Sequence, residues 1–170
     1  MLIKEVMSSN IHCVIATTPY KDIWLTIFKS HTNSLPVVDK KGRLVGLVTR
    51  DDLLRPLYPK YQELFETIES PADIEAMEDR MKELAGLTAK DVMQQKVIFT
   101  RDMTLVMRAL SRMILRRVNQ LPVLNEKDVV IGMGTKGDIF LSLFQKNFKQ
   151  PTLKKNTRLK KTTKRSRLGT

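Results

Sequence analysis

Asn33-Ser34-Leu35-Pro36-Val37, followed by Gly46-Leu47-Val48-Thr49-Arg50-Asp51-Asp52, returns further along the chain as Asn119-Gln120-Leu121-Pro122-Val123 and Gly132-Met133-Gly134-Thr135-Lys136-Gly137-Asp138. The offset is 86 residues at every landmark, and Val6-Met7 keeps it with Val92-Met93. No insertion or deletion is needed over about fifty residues, so one structural unit has been made twice. A site built in one copy therefore has a counterpart in the other.

Working outward, each copy reads as strand, helix, two strands, helix. In the first, Ile11 to Ala16 is a short β-prone run. Thr18-Pro19 predicts a helix start, with Thr18 as N-cap and Pro19 as the first helical residue. Ile23, Trp24, Ile27 and Phe28 recur at helical spacing. Leu35 to Val38 and Arg43 to Val48 predict two strands about a turn at Lys41-Gly42. Thr49 to Asp52 opens a second helix, which Pro56 and Pro59 should keep short. In the second copy Val97 to Thr100 is the first strand, and Leu105, Ala109, Leu110, Met113 and Ile114 give the helix its apolar face. Leu121 to Leu124 and Val129 to Met133 make the strand pair, and Ile139, Phe140, Leu143 and Phe144 lie along the last helix. These readings divide the chain into a first repeat (1–58), a helical linker (59–86), a second repeat (87–145) and a basic tail (146–170). The linker is rich in Asp and Glu, with Pro71 at a helix start and Gly86 at a stop.

Thr-x-x-Asp at a strand-to-helix junction has two readings. It is close to a capping box, in which Thr and acid satisfy each other's backbone donors. It also suits a nucleoside phosphate. The helix start offers unpaired N–H groups to an anion, and a hydroxyl can donate to phosphate. The carboxylate can accept from two neighbouring hydroxyls. Gly46 and Gly132 let a strand backbone come close to a neighbour or a flat ligand.

Two Leu-Pro-Val strands, each followed by Gly-x-x-Thr-x-x-Asp and each copy opened by Val-Met, resemble the CBS domain, whose tandem pairs are called Bateman modules. The likeness covers residues 1–145. It implies an α/β (α+β) fold of two β-α-β-β-α repeats packed by pseudo-twofold symmetry. It also implies a regulatory module, not an enzyme, that binds AMP, ADP, ATP or S-adenosylmethionine between the sheets, with no required cofactor. By resemblance, Asp52 and Asp138 hold ribose hydroxyls and Thr49 and Thr135 contact phosphate. Leu47, Val48, Met133 and Gly134 line base or sugar, and His12 and Ile98 flank the adenine. Asn33, Ser34, Asn119 and Gln120 face the phosphates. The family's nucleotide binders often carry basic residues before the Leu-Pro-Val strand, where this chain has neutral ones. Arg50 and Lys136 are then the nearest cations, with Arg116 and Arg117 as further candidates. Gly134 and Gly137 should make the second junction more pliable than the first. The resemblance also implies a homodimer and an unidentified protein target for the signal.

The net charge of +12 is an end effect. Residues 146–170 hold ten Lys or Arg and no acid, leaving 20 basic and 18 acidic residues, a net of +2, for the rest. Such a tail attracts nucleic acid or anionic surfaces. A nucleic-acid-associated scaffold, with contact through residues 149–170, is therefore the competing reading. No aromatic residue follows Phe148 to stack on bases. A hydrophobic content of 42% fits a packed body, and no apolar run reaches the roughly 20 residues of a membrane helix. With one cysteine (Cys13), two histidines and no signal-peptide pattern, the sequence points to the cytoplasm and away from disulfides, metal sites and a Cys–His nucleophile.

Overall fold

A computed structural model describes residues 1–57 and 71–148. The linker residues before Pro71 and the tail from residue 149 lie outside the described residues, and with them the expected nucleic-acid contact. The first copy holds β1 (Val14–Ile15), α1 (Tyr20–Lys29), β2 (Ser34–Val38), β3 (Leu44–Thr49) and α2 (Arg50–Leu54). After α3 (Pro71–Leu84) and a short α4 (Ala89–Val92), the second holds β4 (Thr100–Arg101), α5 (Val106–Leu115), β5 (Gln120–Leu124), β6 (Val130–Thr135) and α6 (Lys136–Asn147).

Each copy forms a three-stranded sheet, in the orders β1-β2-β3 and β4-β5-β6, with a parallel pair followed by an antiparallel one. The registers repeat at the same offset: Val14 faces Val37 as Thr100 faces Val123, and both middle strands bulge before their last residue. The hairpins also repeat chemically. Asp39 Oδ1 accepts from the Lys41 and Arg43 amides at 2.8 and 2.9 Å, and Asn125 Oδ1 accepts from those of Lys127 and Val129 at 2.9 and 3.1 Å. An Asx turn of this kind fixes a tight corner whatever the flanking residues. Gly42 and Asp128 take the same left-handed position in it, at φ 75° and 61°.

The leading segment of each copy crosses to the other. Ile3, in a 3-10 turn over Ile3–Glu5, is fully buried in the second copy's core with Val106, Ala109, Leu110, Met113, Leu121, Val123 and Ile139. Ala89 of α4 enters the first copy's core with Tyr20, Ile23, Ile27, Leu35, Val37, Val48 and Leu53. Behind these residues, Ser8 pairs both ways with the Met133 backbone at 2.9 Å, and Gln94 pairs with Leu47 at 2.9 and 3.0 Å. The Val-Met and Gly motifs meet at these crossings. A Cβ on Gly132 would lie 2.5 Å from Met7 Sδ and 2.8 Å from the Ser8 carbonyl oxygen, and one on Gly46 would strike Met93. A methionine side chain can swing away, but a strand-paired carbonyl cannot. Gly132→Ala should therefore cost about 1–3 kcal/mol in urea unfolding, and Gly46→Ala distinctly less.

Several sequence expectations shift. The first strands shrink to two residues because the chain before them has left for the opposite sheet. Pro19, not Thr18, is the N-cap of α1, and Thr18 Oγ1 accepts instead from the Ile15 amide at 3.1 Å. In α5 the inward face is Val106, Ala109, Leu110 and Met113, while Leu105 and Ile114 are 59% and 57% exposed. Of the expected apolar face of α6, Ile139 is buried and Leu143 packs partly buried against the second core, while Phe140 and Phe144 face outward. Gly134 is buried, and a Cβ there would lie 3.1 Å from Ile3 Cδ1. As expected, α2 is short, running into a 3-10 turn that contains Pro56.

Candidate ligand-binding cleft

The two junction motifs form capping boxes. Thr135, extended at the end of β6, accepts from the Asp138 amide through Oγ1 at 3.0 Å. Asp138 Oδ2 in return accepts from the Thr135 amide at 3.0 Å and from Thr135 Oγ1 at 2.7 Å. Thr49 and Asp52 repeat the set at 3.2, 2.9 and 2.7 Å. Capping and ligand binding are compatible, because the box uses only one carboxylate oxygen. The question is what the other oxygen meets.

Asp138 lines a cleft of about 350 Å³. Ser8, Asn10, Ile11 and His12 of the crossing segment form one wall, and Ser30, His31 and Thr32 after α1 form another. Ser34, Gln120, Met133, Thr135 and Asp138 close the floor. Among the described residues, no side chain bonds Asp138 Oδ1. Among the described residues, Asp138 is also the only carboxylate in the lining, and no Lys or Arg lines it. Ile11 and Met133 supply apolar surface, and the other groups are hydroxyls, amides and imidazoles.

At Asp52 the second oxygen is taken. Gln94 Nε2 donates to Oδ1 at 2.9 Å and approaches Oδ2 at 3.1 Å, and Arg55 Nη2 stands 3.7 Å from Oδ1. The Asp52 side chain is 3% exposed. Between the two junctions, Gln120 Nε2 donates to Ser34 Oγ at 2.5 Å. These two residues are counterparts in the repeat, so the approximate twofold axis runs between them.

The family model for the CBS domain matches residues 3–58 and 89–144. The chain belongs to the CBS domain family. Protein MJ1426 of Methanocaldococcus jannaschii is 28% identical over 155 residues, covering 84% of this chain and 91% of its own length. Among solved structures, the CBS-pair protein CBSX2 of Arabidopsis thaliana superimposes with a TM-score of 0.70 at 21% identity, over 86% of this chain and 96% of that one. The CBS pair of protein MJ0100, solved with 5′-methylthioadenosine and S-adenosylmethionine, gives 0.65 at 20% identity over 86% and 98%. The two sheets and their helices are thus a tandem CBS module. Among its described residues no helix is long and apolar enough to cross a membrane.

Within this CBS pair the structure gathers His12, Ser34, Gln120, Met133, Thr135 and Asp138 of the expected site residues around one cleft. Thr49, Asp52 and Leu47 sit at the other junction, where Gln94 is bonded to both the Leu47 backbone and the Asp52 carboxylate. Val48 is wholly buried in the first core and Gly134 backs onto Ile3, so neither turns a side chain to a cleft. Ile98 packs against the second core. Arg50 is drawn onto Phe28, 5.3 Å from the ring centroid, and donates to the Thr32 carbonyl at 3.2 Å. Lys136 Nζ donates to Asn119 Oδ1 at 3.2 Å, and the Asn33 carbonyl accepts from the Arg50 amide at 3.1 Å. Arg116 and Arg117 are exposed after α5. Sequence reasoning missed Ser8, Asn10, Ile11, Ser30, His31 and Thr32. The available signal was position. Residues 8–11 follow Val-Met, and His31 and its counterpart Arg117 share a left-handed backbone at φ 51° and 53°.

Proposed function

We propose that this CBS pair is a regulatory module that takes one adenosyl ligand in the Asp138 cleft and signals to a protein partner. The observation that carries the reading is that Asp138, with one oxygen bonded by no side chain among the described residues, lines a nucleoside-sized cleft of hydroxyls, amides and imidazoles. In this reading the ribose diol donates to Asp138, the base lies between Ile11 and Met133, and the 5′ substituent runs toward Ser30, His31 and Thr32. CBSX2, solved in complex with AMP, and MJ0100, solved with its two adenosyl compounds, lend the ligand class. No reaction is assigned to the module.

The lining also ranks the ligands. Each phosphate charge left without a cation near Asp138 costs on the order of 1–2 kcal/mol at the effective dielectric of a protein surface. AMP or S-adenosylmethionine should therefore bind at least about tenfold more tightly than ATP. Competition calorimetry with the three compounds checks this, and ATP binding tightest would remove the reading.

A bound ligand would tie the crossing segment of the first copy to the last strand and helix of the second. It can shift only an arrangement for which it has different affinity. The body offers a surface to receive such a shift. Phe140, Leu141 and Phe144 are exposed on α6 and Phe148 just past its end, with Met103, Leu105, Met107, Ile114 and Leu115 exposed on and beside α5. Apolar exposure on this scale marks an interface, and the occupant we assign is a second copy. The native chain should sediment as a dimer, and Phe140→Asp with Phe144→Asp should yield a monomer that keeps its ligand.

A further inference from the structure

The two junctions differ at the side chain that faces the carboxylate. Ser8 and Gln94 are counterparts, and each pairs its backbone with the opposite strand in the same way. Their α-carbons therefore occupy equivalent places, and only reach differs. Serine stops at one carbon and remains part of an open wall. Glutamine extends to Asp52 and offers its Nε2 to both carboxylate oxygens, at 2.9 and 3.1 Å. One N–H of that amide, shared between the two carboxylate oxygens, stands where a ligand hydroxyl would donate. Arg55 adds a cation 3.7 Å away, where the second copy has the apolar Leu141.

We propose that Gln94 is a built-in occupant of the Asp52 cleft, holding a second adenosyl site closed so that each chain takes one ligand, at Asp138. The ligand class rests on the reading of the Asp138 cleft given above. Hydrogen bonds to a charged carboxylate are strong enough that a ligand displacing Gln94 loses about ten- to a hundredfold in affinity. The surroundings say what the closed site would take. The counterparts of Asn10, Ser30 and His31, which line the open cleft, are Lys96, Arg116 and Arg117, and all three are exposed. By the repeat these three cations would flank the closed site, which would suit it to a more highly phosphorylated nucleoside than the Asp138 cleft takes.

The test is the number of AMP molecules bound per chain in calorimetric titrations of the full chain. Gln94→Ser places in the second copy the residue that the first already uses, and it leaves the Leu47 backbone pairing intact. It should bind one more AMP than the wild type, and adding Asp52→Ala should remove that extra molecule. Gln94→Ala should give the same gain, which guards against one poorly folded variant. An unchanged count in both variants overturns the proposal, as does a wild type that already binds two with similar affinity. A wild type that binds none would end the reading of the Asp138 cleft, yet the gain on replacing Gln94 would still decide this one.

Discussion

Asp138→Ala should abolish the rise in melting temperature that an adenosyl ligand produces, while Asp52→Ala should leave that rise in place. At a ligand concentration a hundredfold above Kd, binding to the native state adds about 2.7 kcal/mol. For a chain of this size that is roughly 5–10 °C. Both substitutions remove a capping-box acid, so both ligand-free proteins should melt lower, by an amount set by about 0.5–2 kcal/mol of lost capping. The informative quantity is therefore the difference with and without ligand in each variant. The Asp138 carboxylate has an oxygen to give, whereas both oxygens of Asp52 are held by Thr49 and Gln94. Asp138→Asn retains one acceptor oxygen for the cap and loses the paired acceptor, so it should recover ligand-free stability better than it recovers binding. A ligand shift that survives Asp138→Ala and disappears with Asp52→Ala would reverse the assignment of the two clefts.

The second large effect concerns packing. Ile3 is fully buried in the second core, where Gly134 stands beneath it, 3.1 Å from Ile3 Cδ1 to a built Cβ. In the first core the counterparts are Ala89 and Val48, a small residue and a large one in exchanged places. Ile3→Ala alone leaves a cavity and should cost about 2–5 kcal/mol. Gly134→Val alone overpacks the site and should cost about 1–3 kcal/mol. Made together they rebuild the first copy's solution inside the second. The double variant should then be more stable than the sum of the single losses by at least about 1 kcal/mol in urea unfolding. Additive losses would mean that the crossing segments do not exchange volume as the two cores indicate.

The repeat, the order of elements and both junction motifs were legible because they depend on local chemistry. Leu-Pro-Val is a short apolar run as a buried strand is, Thr and Asp cap a helix start, and Pro56 cuts a helix short wherever it falls. The inequality of the clefts was not legible, although its residues are in plain view. Ser8 and Gln94 lie just past the Val-Met marks, but nothing local says that the chain there crosses to the other copy. Only that crossing brings Gln94 to Asp52 and leaves Ser8 short of Asp138. The same limit hid the role of Ile3, which reads as the end of a short apolar run, Met1-Leu2-Ile3, until its partners are known. On α5 and α6, spacing identified apolar residues but could not tell inward from outward. Phe140 and Ile139 are neighbours in sequence, yet one is 56% exposed and the other fully buried.

The most direct measurement is a crystal structure of the chain grown with AMP and, separately, with S-adenosylmethionine. The ribose hydroxyls should lie within hydrogen-bond distance of Asp138, between the Ser8–His12 segment and β6, with Gln94 still bonded to Asp52. A ligand seated at Asp52 with Gln94 displaced, or an Asp138 cleft that stays empty at saturating concentrations of both compounds, would contradict the account.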